Sequence, residues 1–153
     1  MKQNSDAHSR LLTCCVDNQW LALPVEELSE VVTPQTRTVI PLAPNAVNGL
    51  INLRGKILTE LDIRRILDLK ARENETEYRT IILEGEEGEG FGLTVDAVGE
   101  VIDLKADRFE RTPDSLEARW KSICHGVLKQ EKGILVMLDI EKLVAKSMPS
   151  DCS

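Results

Sequence analysis

The side chains with the most to offer chemistry in this sequence are four cysteines, Cys14, Cys15, Cys124 and Cys152, and two histidines, His8 and His125. A cysteine nucleophile needs a neighbouring base to take its proton. The available pairs are Cys124 with His125 and Cys14 with His8. Adjacent residues on a strand point to opposite faces, and His8 lies in a polar N-terminal stretch, so neither pair suits proton transfer. The cysteines also lack the spacing of a metal site. They read as reduced, small apolar side chains, which leaves no catalytic residue, no metal ligand and no cofactor to expect.

Gly85, Gly88 and Gly90 suggest a phosphate cradle, but Glu84, Glu86, Glu87 and Glu89 surround them and would repel an anion. They read as a solvated hairpin turn. Asp62 and Asp139 each stand directly before a short helical pattern, where an aspartate caps a helix. Arg54 sits among Leu50, Ile51, Leu53 and Ile57. Either its guanidinium lies near the interior, where it needs a carboxylate partner, or it is an exposed turn residue.

The elements that position these residues are strands, and they occur twice. The run from Val47 to Leu67, VNGLINLRGKILTELDIRRIL, holds two apolar segments around Arg54-Gly55-Lys56, the pattern of a tight hairpin. Aligning Gly49 with Gly126 brings GVLKQEKGILVMLDIEKL into step without a gap. Leu61-Asp62-Ile63 then falls on Leu138-Asp139-Ile140, and Arg54 on Glu131. A second set, Leu23, Val25, Glu30, Val31 and Val32, matches Leu93, Val95, Glu100, Val101 and Ile102. Two copies are too few for a solenoid. The expectation is an all-β chain of two pseudo-repeated barrels.

Composition agrees with a modest β-rich protein. The chain has 153 residues, 42% of them hydrophobic but only 3% aromatic, so Val, Leu and Ile must build the core. A net charge of −7 argues against binding a phosphate backbone. No apolar run approaches the roughly 20 residues of a membrane span, and the N-terminus is too polar for a signal peptide. A cytoplasmic protein is expected.

In chain order, residues 1–10 read as a tail, Leu11 to Val16 and Trp20 to Pro24 as an opening hairpin, and Val25 to Val32 as a helical turn followed by a strand. The loop from Thr33 to Asn45 carries Pro34, Pro41 and Pro44. Residues 70–77 read as a linker between first-copy motifs at about 11–69 and second-copy motifs at about 78–146. Strands follow at Tyr78 to Glu84 and Phe91 to Val95. A short helix is expected between Arg108 and Lys121, capped by Thr112 or Asp114. Residues 147–153 read as a second tail.

Several blocks in order, Gly49, Asn52-Leu53-Arg54-Gly55, Ile57, Asp62-Ile63, Val95-Asp96, Val98, Val101 and Ile140-Glu141-Lys142-Leu143, resemble the CheW family of bacterial chemotaxis coupling proteins. The resemblance covers about Leu11 to Val144. It implies two five-stranded SH3-like β-barrels packed around a shared apolar interface, and no catalysis. It implies an adaptor, monomeric in isolation, that binds the regulatory domain of the histidine kinase CheA and the cytoplasmic tip of methyl-accepting chemoreceptors, and is thereby recruited to membrane-associated arrays.

By position, the resemblance implies a structural salt bridge between Glu30 and Arg54. It places Leu28, Glu30, Val31, Arg54, Val98 and Val101 at a receptor-binding groove, and Asn48, Gly49 and Ile57 on a kinase-binding surface. The chain departs from the family at Thr59, where proline is usual, at Glu60, where an apolar residue is usual, and at Cys124-His125 before Gly126. The alternative reading is a CheW-like scaffold of a non-chemotaxis kinase pathway serving motility, surface sensing or gene regulation. A small hydrolase or transferase has only the cysteines and scattered acids behind it.

Overall fold

The structure is a computed structural model, and it describes residues 10–84, 90–104, 108–131 and 133–148. The opening hairpin is β1 (Arg10–Val16) and β2 (Gln19–Pro24), turning at Asp17 and Asn18, both at positive φ. A 3-10 turn (Val25–Glu27) leads into β3 (Leu28–Val32). The proline-rich loop holds a two-residue strand, β4 (Arg37–Thr38). The central hairpin is β5 (Val47–Leu53) and β6 (Lys56–Asp62), capped by α1 (Ile63–Ile66). The chain begins again with β7 (Arg79–Glu84), β8 (Gly90–Val95) and β9 (Ala97–Asp103). It closes with β10 (Phe109–Glu110), α2 (Ala118–Lys121), β11 (Cys124–Gln130), β12 (Gly133–Leu138) and α3 (Ile140–Ser147).

The expected pair of five-stranded SH3-like barrels does not form. The strands make two six-stranded sheets, in the orders β10-β11-β12-β2-β1-β9 and β3-β7-β8-β6-β5-β4, and neither closes on itself. Both are mixed, with one parallel pair each, β2 with β12 and β6 with β8. Closure would require the two end strands of a sheet to pair. One end strand in each sheet, β4 or β10, is only two residues long. Pro34 and Pro41 flank β4 and Pro113 follows β10, and proline has no N–H to extend a ladder.

The repeat is real but interlocked. By the alignment, β7-β8 repeat β1-β2, β9 repeats β3, and β11-β12 repeat β5-β6. Yet β1 and β2 lie in the sheet of β9 to β12, while β7 and β8 lie in the sheet of β3 to β6. Each copy has given its leading hairpin to the other. The two sheets share a main core, in which Leu21 and Leu23 of one meet Leu61, Ile81 and Leu93 of the other. Two smaller clusters line the inside of each sheet alone, Leu11, Leu128 and Met137 in one and Ile51, Leu58 and Ile82 in the other.

The duplicated glycines show why the copies kept them. Gly49 and Gly126 each sit at a register break in their hairpin at positive φ, 153° and 152°. A Cβ on Gly49 would lie 2.5 Å from the Thr38 carbonyl oxygen of β4, and one on Gly126 would lie 2.3 Å from the Phe109 ring of β10. Asp62 and Asp139 cap as expected, accepting from the Arg64 and Lys142 backbone N–H groups. The helix near residue 120 does not follow the expected cap: α2 starts after Glu117, without a side-chain cap. The expected C-terminal tail boundary falls inside α3, whose Ser147 is buried.

Candidate functional site

Two strands end their sheets with one long free edge each, β3 and β9, and they are equivalents in the repeat. Both carry a register break beside a glutamate, near Glu30 in β3 and Glu100 in β9. Leu28 on β3 and Val98 on β9 are partly buried against the shared main core. Further along the same strands, Val31 and Val101 are 38% and 42% exposed, high for β-branched aliphatic side chains. The four residues thus divide into two rooted in the core and two offered to solvent.

Arg54 stands at the tip of the β5-β6 hairpin. It and Gly55 take positive φ, 53° and 86°, and the Asn52 side chain accepts from the Gly55 N–H at 2.9 Å, which fixes the turn. The guanidinium pairs with the Glu30 carboxylate on β3. It is not near the interior: the Arg54 side chain is 68% exposed, so the turn reading holds. An ion pair this wet contributes about 0–1 kcal/mol to stability. It fixes where the charges stand more than it holds the fold.

Asn48, Gly49 and Ile57 do not make one open patch. Gly49 is buried beneath β4, and Asn48 is half-buried, donating to Asp62 at 3.3 Å. Ile57 is 58% exposed, across the hairpin from Asn52. Beside Gly49 lies an apolar segment that the sequence reading did not single out: Val39, Ile40 and Leu42 are exposed, with Leu42 at a φ of 67°.

The sequence reading also missed a polar network that runs from β4, β6 and β7 of one sheet to the β1-β2 turn. Glu60, the residue at a usually apolar position, is fully buried, receiving Arg37 Nε at 2.6 Å and Thr80 Oγ1 at 2.8 Å. Arg37 also donates to the Tyr78 hydroxyl at 2.9 Å, and the Arg37 and Arg72 guanidinium groups stand 5.5 and 5.6 Å from the Tyr78 ring centroid. Arg72 reaches Asp62 at 3.0 Å and Asp96 at 3.1 Å, while Arg64 grips Asp96 with two hydrogen bonds of 2.9 and 2.7 Å. Asp96 also accepts from the Asp17 N–H at 2.8 Å, which ties the β1-β2 turn to α1. Burial alone would raise the Asp96 carboxyl, but these donors outweigh it and hold it below the usual range. The charges in this network are paired with each other, so it braces the fold and presents no free anion or cation site.

Cys14 and Cys124 are buried and Cys15 is half-buried, and all three are free thiols. Burial, with Cys15 and Asp96 nearby, pushes the Cys14 thiol far up, which leaves it inert. The Cys124 sulfur is occupied by Gly126 and Thr112. His125 is exposed and meets the Phe109 ring edge-on at 6.1 Å. Cys152, His8, Gly85 and Gly88 lie outside the described residues. No group of three or more metal-ligating side chains occurs among the described residues, and no helix there is long and apolar enough to cross a membrane.

Comparison with known proteins agrees with the two-sheet arrangement. Residues 10–148 match the CheW-like domain family. The chain is 25% identical over 131 residues to the chemotaxis protein CheW of Helicobacter pylori, covering 86% of this chain and 78% of that protein. It is 28% identical over 146 residues to the CheW of Thermotoga maritima, covering 94% of each. The crystal structure of the scaffolding protein TtCheW from Thermoanaerobacter tengcongensis superposes with a TM-score of 0.75 at 27% identity, covering 86% of this chain and 88% of that one.

Proposed function

This chain belongs to the CheW-like domain family, and we propose that the free edges of its two sheets are where it performs the family's adaptor role. It is a non-enzymatic adaptor of chemotaxis signalling, coupling chemoreceptors to the histidine kinase CheA. The apolar rim of Leu28, Val31, Val98 and Val101 takes an amphipathic helix of the receptor tip. Glu30 and Arg54 form its polar border and set the orientation of the helix. Ile57 is the exposed apolar contact for the CheA regulatory domain, with Asn48 and Gly49 shaping the strand behind it. Its place of work is the membrane-associated receptor array.

The observation that supports this reading is the pairing of roles along two equivalent edges. Leu28 and Val98 anchor each edge to the common core, and Val31 and Val101 stand out from it. A helix laid on them would bury apolar surface at roughly 25 cal/mol per Å², with negative ΔCp as its signature. Calorimetric titrations with the receptor tip and with the CheA regulatory domain test the two surfaces separately. Val31→Asp and Val101→Asp are expected to weaken receptor binding at least tenfold and to leave kinase binding unchanged. Wild-type protein that binds neither partner would overturn the coupling role, and valine variants that bind the receptor normally would overturn the assigned rim.

A further inference from the structure

The Glu30–Arg54 pair has an equivalent position in the other sheet that lacks the arginine. Since β9 repeats β3 and the β11-β12 hairpin repeats β5-β6, Glu100 stands where Glu30 does and Glu131 where Arg54 does. Both sheets have a concavity here. In the first it measures about 230 Å³, with Glu30, Arg54 and Leu58 in its wall. In the second it measures about 720 Å³, with Glu100, Glu131, Trp20 and Leu135 in its wall. One mouth is bridged by an ion pair, and the other is left with two carboxylates.

Nothing within the described residues satisfies those carboxylates. Neither the Glu100 nor the Glu131 carboxylate has an ion-pair or hydrogen-bond partner there, the Thr13 hydroxyl donating to the Glu100 backbone carbonyl instead, and Arg108 on the same wall reaches neither carboxylate. Trp20 is 42% exposed beside them, where the equivalent residue in the first sheet is Gly90. Its ring lies against Gly99, at which an added Cβ would come within 2.8 Å of it. The second sheet thus has a carboxylate where the first has a self-contained arginine, and the exchanged β1-β2 hairpin brings it an indole face. Carboxylates beside an accessible indole are the chemistry that holds a guanidinium, through paired N–H···O bonds and stacking.

We propose that this mouth receives an arginine side chain from a partner protein, restoring between two molecules the bridge that Arg54 makes within one. The guanidinium sits between Glu100 and Glu131 with its plane against Trp20, and its aliphatic stem follows Leu135. Glu30 supplies the internal precedent, since the residue equivalent to Glu100 already binds a guanidinium in this protein. The net charge of −7 favours approach of such a basic loop.

The probe is N-acetyl-arginine methylamide, titrated into the 15N-labelled protein against the neutral isostere N-acetyl-citrulline methylamide. Saturable shifts are expected at the Trp20 indole N–H and the Gly99, Glu100 and Gly133 amides, with at least a tenfold weaker response to citrulline. Glu131→Arg, which rebuilds the bridge within the chain, is expected to abolish the response, and the milder Glu131→Gln to reduce it about fivefold. Position 131 is exposed in a turn, and the unchanged signal of buried Trp120 reports that both variants fold. Equal shifts with citrulline, or shifts that survive Glu131→Arg, would overturn the proposal. Tighter binding by Arg108→Ala than by wild type would also overturn it, because Arg108 would then be the resident occupant.

Discussion

Replacing Arg37 by methionine should damage this protein far more than replacing Arg54 by alanine, although Arg54 is the arginine to which the sequence draws attention. Glu60 has no solvent exposure, and Arg37 Nε, at 2.6 Å, is its only cationic partner among the described residues; Thr80 supplies the other donor. Arg37→Met leaves a buried carboxylate without its counter-charge, a loss of about 3–5 kcal/mol in comparable cases. Arg37 is itself 27% exposed, so water reaches the vacated end and the lower figure, about 3 kcal/mol, applies. For a chain of this size that is a fall of about 6–12 °C in Tm. Arg54→Ala removes a pair that is 68% and 29% exposed, so it should cost about 0–1 kcal/mol, or at most about 4 °C.

Thermal unfolding followed by circular dichroism separates the two, and the double variant Arg37→Met/Glu60→Met completes the test. With charge removed from both partners, the Thr80 and Tyr78 hydroxyls each lose a hydrogen-bond partner at about 1 kcal/mol apiece, so the double should be about 1 kcal/mol more stable than the single. If Arg37→Met melts within about 2 °C of wild type, or if the double is less stable than the single, then the buried pair is not what ties β6 to Arg37 of β4 and Thr80 of β7 across the sheet, and the reasoning fails. Arg54→Ala with normal stability but weakened receptor binding would place Arg54 among the contacts.

Two further outcomes follow from the geometry. Gly126→Ala and Gly49→Ala each force a Cβ against β10 or β4 at strained φ and should cost about 1–3 kcal/mol each in chemical denaturation, whereas Gly55→Ala, with open space around it, should cost about 1 kcal/mol. Asp96, held below the usual carboxylate range, contributes stability that is present above its unfolded pKa and is lost as pH falls through the lower folded value; acid unfolding of wild type should therefore steepen below about pH 4, and Asp96→Asn should be less stable at neutral pH but lose less on acidification.

The strands and their order of use were legible because period-two apolar runs and turn residues such as Asn52-Leu53-Arg54-Gly55 are local signals. The duplication was legible too, since Gly49 and Gly126 or Asp62 and Asp139 hold positions that only those residue types suit. Which strand pairs with which was not legible. Nothing in the text of β1 or β7 says that it will lie in the other copy's sheet, because the apolar faces of the two hairpins are interchangeable in pattern. Closed barrels were expected for the same reason: a strand pattern reports burial, not the brevity that prolines impose on β4 and β10. The Glu60–Arg37–Tyr78 network was hidden because its members are far apart in sequence, and a charged residue within an apolar run, such as Glu60 in β6, was the signal that could have revealed it.

The two copies can be read against each other as an experiment the chain has already performed. Where the backbone makes a demand, they agree: both hairpins keep a glycine at the register break and an aspartate at the helix cap, because any other residue there costs stability in either sheet. Where the backbone makes none, they differ. The hairpin tip accepts Arg54 in one copy and Glu131 in the other, since both are exposed, and the same fold supports Gly90 in one sheet and Trp20 in the other. Exposed positions, on which the fold makes no demand, are therefore the ones left open to partners, whether the copies agree there or differ. By that criterion the edges of β3 and β9 share an apolar task at Val31 and Val101, while the mouths beside them, bridged in one sheet and acidic in the other, have been given different ones.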